Sequence, residues 1–218
     1  MLISILEISY NRPNLSACAQ WNSNATTLVS KSSPQSLQPW DVFVDKNNTV
    51  YITDMYKNHL SVWCNGDSNS TRTIFNGLQQ PSKLFVLPTG DVYVANGDSQ
   101  VKKLKTATDS FETNAQFCQS CSAIFIDINN LMYCSMNEYH QIIAKPLESN
   151  SNVLTVVAGT GIQGFDAHTL HNPVGIWVNT NLDLYVADSK NDRIQLFRSD
   201  TINGITIAGA SSILTTIT

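Results

Sequence analysis

Apolar residues in this chain gather in short runs closed by Asn, Asp, Gly or Pro, and the runs recur in register. The first copy reads Gln38-Pro-Trp-Asp-Val-Phe-Val-Asp45, Thr49-Val-Tyr-Ile-Thr-Asp54 and Asn58-His-Leu-Ser-Val-Trp63. The second reads Gln80-Pro-Ser-Lys-Leu-Phe-Val-Leu87, Asp91-Val-Tyr-Val-Ala-Asn96 and Gln100-Val-Lys-Lys-Leu104. Ser120-Cys-Ser-Ala-Ile-Phe-Ile-Asp127, Asn130-Leu-Met-Tyr-Cys-Ser135 and His140-Gln-Ile-Ile-Ala144 form the third. The fourth is Asn172-Pro-Val-Gly-Ile-Trp-Val-Asn179, Asp183-Leu-Tyr-Val-Ala-Asp188 and Asp192-Arg-Ile-Gln-Leu-Phe197. Runs of β-branched and aromatic residues between such punctuation predict strands joined by tight turns. Near-continuous apolar stretches such as Leu84–Leu87 and Ala123–Ile126 predict strands covered on both faces.

The marker tyrosines Tyr51, Tyr93, Tyr133 and Tyr185 lie 42, 40 and 52 residues apart. The longer last interval contains the insertion Gly159-Thr-Gly-Ile-Gln-Gly-Phe-Asp-Ala-His168. Further strands are read at Thr71–Phe75, Val153–Val157 and Gly204–Ala208. Four strands in every 40–50 residues is the period of a β-propeller blade. No segment carries a helical apolar stripe of ten residues, so the fold class is all-β. Blades are placed at about 38–76, 80–117, 120–158 and 172–209 within a propeller region 21–209. Residues 25–30 read as an outer strand with no blade of their own, 1–20 as a lead-in and 210–218 as a remnant. An arc of four blades leaves strand edges open, which points to an open arc or part of a larger disc, with a compact four- or five-bladed ring as the alternative.

Composition narrows the function more than the fold. Of 218 residues 42 % are hydrophobic, enough to build a core, but only 14 % are charged, against about 25 % in an average soluble protein. Thirteen basic residues against seventeen acidic ones give a net charge of -4. A polyanion binder needs a basic face. Lys102, Lys103 and Lys105 are the one local basic group, so DNA is excluded and RNA is a poor fit. No apolar stretch reaches the ~18–20 residues of a membrane-spanning helix. The opening Met1-Leu-Ile-Ser-Ile-Leu6 lacks the basic start of an export signal. Four Asn-x-Ser/Thr sequons, at Asn14, Asn24, Asn47 and Asn69, are no more than chance supplies in a chain this rich in Asn, Ser and Thr.

Of the five cysteines, Cys118 and Cys121 form a lone C-x-x-C. A structural zinc site needs four ligands, usually two such pairs or a pair with two spaced histidines. This pair reads instead as buried thiols or a disulfide between Cys118 and Cys121 in an exported protein. His59, His140, His168 and His171 invite a metal or general-base reading, but their spacing assembles no ligand set, so neither metal nor cofactor is expected. Gly159–Gly164 nearly spells a nucleotide loop, yet a strand follows it where a helix is required. It reads as a flexible inter-blade linker.

The fourth copy, with its Pro173-x-Gly-Ile, Leu184-Tyr-Val-Ala-Asp188 and Asn191-x-Arg193-Ile-Gln-Leu-Phe197, resembles the NHL repeat, and Asn58-His59-Leu60 falls at the naming position of the first. Copies two and three depart from the pattern, with Asn96 and Ser135 in place of the aspartate. The resemblance implies a propeller, usually six-bladed, that recognises proteins or glycans through loops on one face, at the cell surface or outside the cell. Candidates on that face are Tyr56, Lys57 and His59; Asn137, Glu138, Tyr139 and His140; Phe165, His168 and His171; and Lys190. Asp54, Asn58, Asp188, Asn191 and Arg193 are read as turn-building residues, with each aspartate accepting backbone N–H bonds. Other branches of the family imply a substrate-recruiting role in a RING-type ubiquitin ligase, RNA binding, or an amidating-lyase-like enzyme. Five cysteines in this arrangement make no RING.

Overall fold

The computed structural model describes residues 37–64, 72–117, 121–148 and 153–209, with positions 24 and 27 besides. The lead-in at 1–20, the strand read at 25–30 apart from position 27, Cys118 and the remnant at 210–218 lie outside the described residues.

Among the described residues sixteen strands form four antiparallel four-stranded sheets, each with its strands adjacent in chain order. The first blade is β1 (Pro39–Val44), β2 (Val50–Asp54), β3 (His59–Trp63) and β4 (Arg72–Ile74). The second is β5 (Leu84–Val86), β6 (Val92–Ala95), β7 (Gln100–Lys105) and β8 (Ser110–Gln116). β9 (Ile124–Ile126), β10 (Leu131–Met136), β11 (Gln141–Pro146) and β12 (Thr155–Gly159) make the third. The fourth comprises β13 (Pro173–Val178), β14 (Leu184–Asp188), β15 (Arg193–Phe197) and β16 (Ile205–Gly209). The only helical pieces among the described residues are 3-10 turns at Asn137–Tyr139 and Ser189–Asn191. The fold is all-β, built of propeller blades.

One turn recipe joins the first two strands of three blades. Asp45 Oδ1 accepts the N–H groups of Asn47 (2.8 Å) and Thr49 (2.9 Å). Asp127 Oδ1 accepts those of Asn129 (2.8 Å) and Leu131 (2.9 Å), and Asn179 Oδ1 those of Asn181 (2.9 Å) and Asp183 (2.8 Å). Each of these turns passes through a left-handed residue, Asn48 (φ 59), Asn130 (φ 59) or Leu182 (φ 66), and the second blade uses Gly90 (φ 90) there. Asparagine and glycine tolerate that conformation cheaply. Leu182 does not.

The chain divides into two compact units, Met1–Thr113 and Asn114–Thr218, the boundary falling within β8. In the first unit, Phe43 of β1 meets Phe85 of β5 edge-on at 5.4 Å, around a core that includes Trp63, Leu60, Ile74 and Val94. The Thr53 hydroxyl donates to the Ser82 carbonyl (2.8 Å) and Asp41 accepts the Leu84 N–H (3.0 Å), so polar stitches tie these blades as well. In the second unit the strand register places Ser135 at the position of Thr53, with Met136 and not Ser135 in the aspartate column, and the Ser135 hydroxyl donates to the Pro173 carbonyl at 3.0 Å. Ile126, Met132, Ile142 and Val186 are wholly buried there. β14 and β15 alternate strictly, with Val186, Asp188, Arg193, Gln195 and Phe197 buried and Tyr185, Ala187, Ile194 and Leu196 half-exposed.

Cys121 is bonded to Cys134 of β10, not to Cys118 as the C-x-x-C spacing suggested. Strand pairing explains the choice. Ser122 and Ala123 pair with Ser135 through backbone bonds, which brings the Cα atoms of Cys121 and Cys134 to 5.2 Å, within the span a disulfide bridges without moving the backbone. Both half-cystines are buried.

Candidate functional site

In three of the four blades the second strand ends in, or runs directly into, a polar residue that fastens the chain entering that blade, whereas in the third that place is taken by Met136. In the first, Asp54 is fully buried and Oδ2 accepts the Gln38 N–H (2.8 Å), while Oδ1 accepts those of Tyr56 (3.1 Å) and Lys57 (2.9 Å). Asn96 does part of this in the second blade, its Oδ1 accepting the Gln79 N–H at 2.8 Å. Asp188 Oδ1 accepts the His171 N–H (2.6 Å), and Oδ2 takes the Asn191 Nδ2–H (2.8 Å) and the Arg193 Nε–H (2.7 Å). Both carboxylates are thus fully buried, and each accepts three hydrogen bonds. Neither has a lone pair aimed at solvent where a general base would need it.

Arg193 uses the rest of its guanidinium to hold the insertion before β13. It donates to the carbonyls of Phe165 (2.6 Å), Asp166 (3.0 Å) and Thr169 (3.0 Å) and lies 4.6 Å from the centre of the Phe165 ring. Asn191 Nδ2 also donates to the Gly164 carbonyl (2.7 Å), and Gly204 N–H to that of Ala167 (2.7 Å). The segment read from sequence as a flexible linker is therefore a loop pinned at several points. Its glycines meet steric needs: a Cβ on Gly164 would collide with the Thr169 side chain, and Gly159 (φ +78) sits against the His140 carbonyl.

This pinned loop brings most of the second unit's candidates together. His140, left-handed at φ 52, and His171 meet edge-to-face at 5.5 Å. His140 Nδ1 accepts the Asn172 N–H at 3.1 Å. The Lys190 N–H donates to the His171 carbonyl (3.1 Å). Glu138, Tyr139, Phe165, His168 and Lys190 are exposed around them, and Asn137 is half-buried. In the first unit Tyr56 and Lys57 are exposed at the corresponding turn, and Asn58 (φ 55) accepts the Gln80 N–H through its side chain (2.6 Å).

His59 is a correction. It is buried in β3 with its ring 5.1 Å from that of Phe75, and burial holds its imidazole below the usual histidine value. A strand residue between Asn58 and Leu60 points into the blade, whatever the motif it spells. Among the described residues no three His, Cys, Asp or Glu side chains converge as a metal site.

The residues missed from sequence are the turn acceptors Asp45, Asp127 and Asn179. They occupy one column of the four aligned copies, which is the signal that marks them. They also explain two of the four marker tyrosines: the Tyr133 hydroxyl donates to Asp127 Oδ2 (3.0 Å), and Tyr51 does the same more loosely to Asp45 (3.5 Å). Burial and the neighbouring carboxylate push the Tyr51 phenol up to about 12 and raise that of Tyr133 further. Ile162, 72 % exposed on the pinned loop, was also missed, an apolar side chain among glycines.

The NHL repeat family matches residues 170–197, from the end of the pinned loop through β15. The fourth blade is an NHL repeat. Its Asp188–Asn191–Arg193 cluster is thus the part of the repeat that clasps the preceding loop. Among solved structures, virginiamycin B lyase from Staphylococcus aureus is similar over 83 % of this chain and 58 % of its own, at 11 % identity and TM-score 0.60. A chain of a nidogen/laminin complex matches 72 % of this one and 57 % of its own, at 14 % identity and TM-score 0.59. An auxiliary nutrient binding protein from Bacteroides ovatus matches 80 % and 48 %, at 16 % identity and TM-score 0.61. Identities this low establish the fold. The chain spans less than three fifths of the length of each of these solved chains. Among curated proteins, none matches this sequence.

Proposed function

We propose that this chain is a non-catalytic recognition scaffold, with the NHL blade's pinned loop and the neighbouring turns as its binding face. The observation that carries the reading is the loop itself. Five donors from Asn191, Arg193 and Gly204 hold its backbone still, while Tyr139, Ile162, Phe165 and His168 stay exposed on and beside it. Loops fixed to a rigid scaffold are where binding concentrates. Exposed aromatic side chains that are already ordered lose little entropy on docking and serve as anchors. Two relatives carry names that speak of binding, the nidogen/laminin complex and the nutrient binding protein, and they support this reading.

The partner class is a protein or glycan met outside the cell or at its surface. Support comes from the buried Cys121–Cys134 bond, because disulfides persist in oxidising compartments and are rare where glutathione keeps thiols reduced. The same disulfide weighs against the alternative of a cytosolic ubiquitin-ligase adaptor whose RING lies on another chain.

The experiment is capture from an extracellular-protein extract on immobilised wild-type chain, followed by binding of the purified candidate. The triple variant Tyr139→Ala, Phe165→Ala, His168→Ala serves as control. Loss of direct binding with an unchanged unfolding midpoint supports the face. Equal binding by wild type and variant refutes it.

A further inference from the structure

A cleft apart from that face lies in the same unit, beside the turns that join β9 to β10 and β13 to β14. It is a cleft of about 460 Å³, within the roughly 300–1,000 Å³ of small-molecule sites. Its walls are largely apolar, with Leu131, Val156, Leu184 and Phe197 among them. Asp127 and Tyr133 also line it, but the Asp127 oxygens are already taken by two backbone N–H groups and the Tyr133 hydroxyl. Arg198 and Asp200 are exposed on its rim, and neither side chain makes an ion pair or hydrogen bond with any described residue, nor with each other.

Leu182 supplies the second, independent observation. It lines this cleft while holding φ 66, at the turn position where the other blades place Asn48, Gly90 and Asn130. A left-handed leucine costs stability that asparagine or glycine would recover. Strain kept at a cavity wall is accounted for by what the side chain does in the cavity.

We propose that this cleft binds a small zwitterion with an apolar body, the simplest being an apolar α-amino acid. The Arg198 fork takes the carboxylate, Asp200 takes the ammonium, and the apolar walls with Leu182 take the side chain. This site is separate from the proposed recognition face and does not depend on it.

The test is calorimetric titration of the purified chain with L-phenylalanine and L-leucine. 3-Phenylpropionate and phenethylamine serve as single-charge analogues. The site predicts saturable binding of the amino acids, with each analogue at least about tenfold weaker, since losing one charge-assisted bond is worth about that factor. Arg198→Ala weakens binding by a similar factor, and Val156→Trp, which fills the cleft from an exposed strand, abolishes it. Leu182→Asn gives the readout a merely structural role would not: a higher unfolding midpoint together with weaker binding. No binding at millimolar amino acid overturns the proposal. So does phenylpropionate binding as well as phenylalanine, or binding unaffected by Arg198→Ala and Val156→Trp.

Discussion

Arg193 Nε donates to Asp188 Oδ2 at 2.7 Å, and both side chains are buried, at 3 % and 0 % exposed. The pair joins two levels of the structure. Asp188 ends β14 and holds the His171 N–H, while Arg193 begins β15 and holds the loop leading to His171. Breaking it removes the closure of the blade and the anchor of the binding face together.

A buried ion pair that loses one partner leaves an uncompensated charge, which costs about 3–5 kcal/mol. Asp188→Asn and Arg193→Met should each lower stability by that order in urea unfolding. The double variant should cost less than the sum, because it leaves no orphan charge. Strict additivity would show that the two residues act independently.

The disulfide gives a second expectation. Cys121 and Cys134 are 13 residues apart, and closing a loop of about 15 residues stabilises by about 3 kcal/mol in the chain-entropy account. The double variant Cys121→Ser, Cys134→Ser should lose stability of that order, and wild type under reductant should follow it. Mass mapping of the oxidised protein should find the Cys121–Cys134 cross-link. A Cys118–Cys121 cross-link in its place would contradict this strand register.

Much of the fold is legible in the sequence because each blade repeats a local solution. Period-2 strands, tight turns and one tyrosine per copy suffice to place the first three strands of every blade. β8 is harder to see. Its Ser110-Phe-Glu-Thr-Asn-Ala-Gln116 buries only Phe111 and Ala115, so the apolar signal of an outer strand is nearly gone. The disulfide partner and the pinning of the loop are tertiary facts. Cys134 meets Cys121 only once β10 is in register, and Arg193 reaches Phe165 across 28 positions. His59 misled for the opposite reason, because a family motif says nothing about which way its histidine points.

The pH response of His59 follows in sign from its burial. Its folded-state value lies below the unfolded one, so the unfolded chain takes up the proton first. The stability this contributes is complete above about pH 6.5 and is lost as pH falls from there towards the depressed value. Urea midpoints between pH 7.5 and 5 should fall more steeply for wild type than for His59→Gln. Parallel slopes would mean that His59 is hydrated and titrates normally.

Two glycines at the ends of outer strands separate steric need from mere tolerance. Gly209 (φ +113) abuts the backbone of Asp192 and Arg193, as Gly159 (φ +78) abuts that of His140 and Gln141. Gly175 has no positive φ, and a Cβ there would only touch that of Ala187, at 3.5 Å. Gly159→Ala and Gly209→Ala should each cost at least about 1–3 kcal/mol, whereas Gly175→Ala should be neutral or slightly stabilising. Thermal unfolding of the three variants checks the order.

With the recurring aspartates building the blades and the exposed loop side chains proposed to recognise a partner, one paired measurement separates these roles. Unfolding midpoint and partner binding are to be recorded for Asp188→Asn and for the Tyr139, Phe165, His168 triple alanine variant. The expected result is a large drop in midpoint for the first, and lost binding at an unchanged midpoint for the second. A stable Asp188→Asn protein, or a triple variant that binds as before, would contradict it.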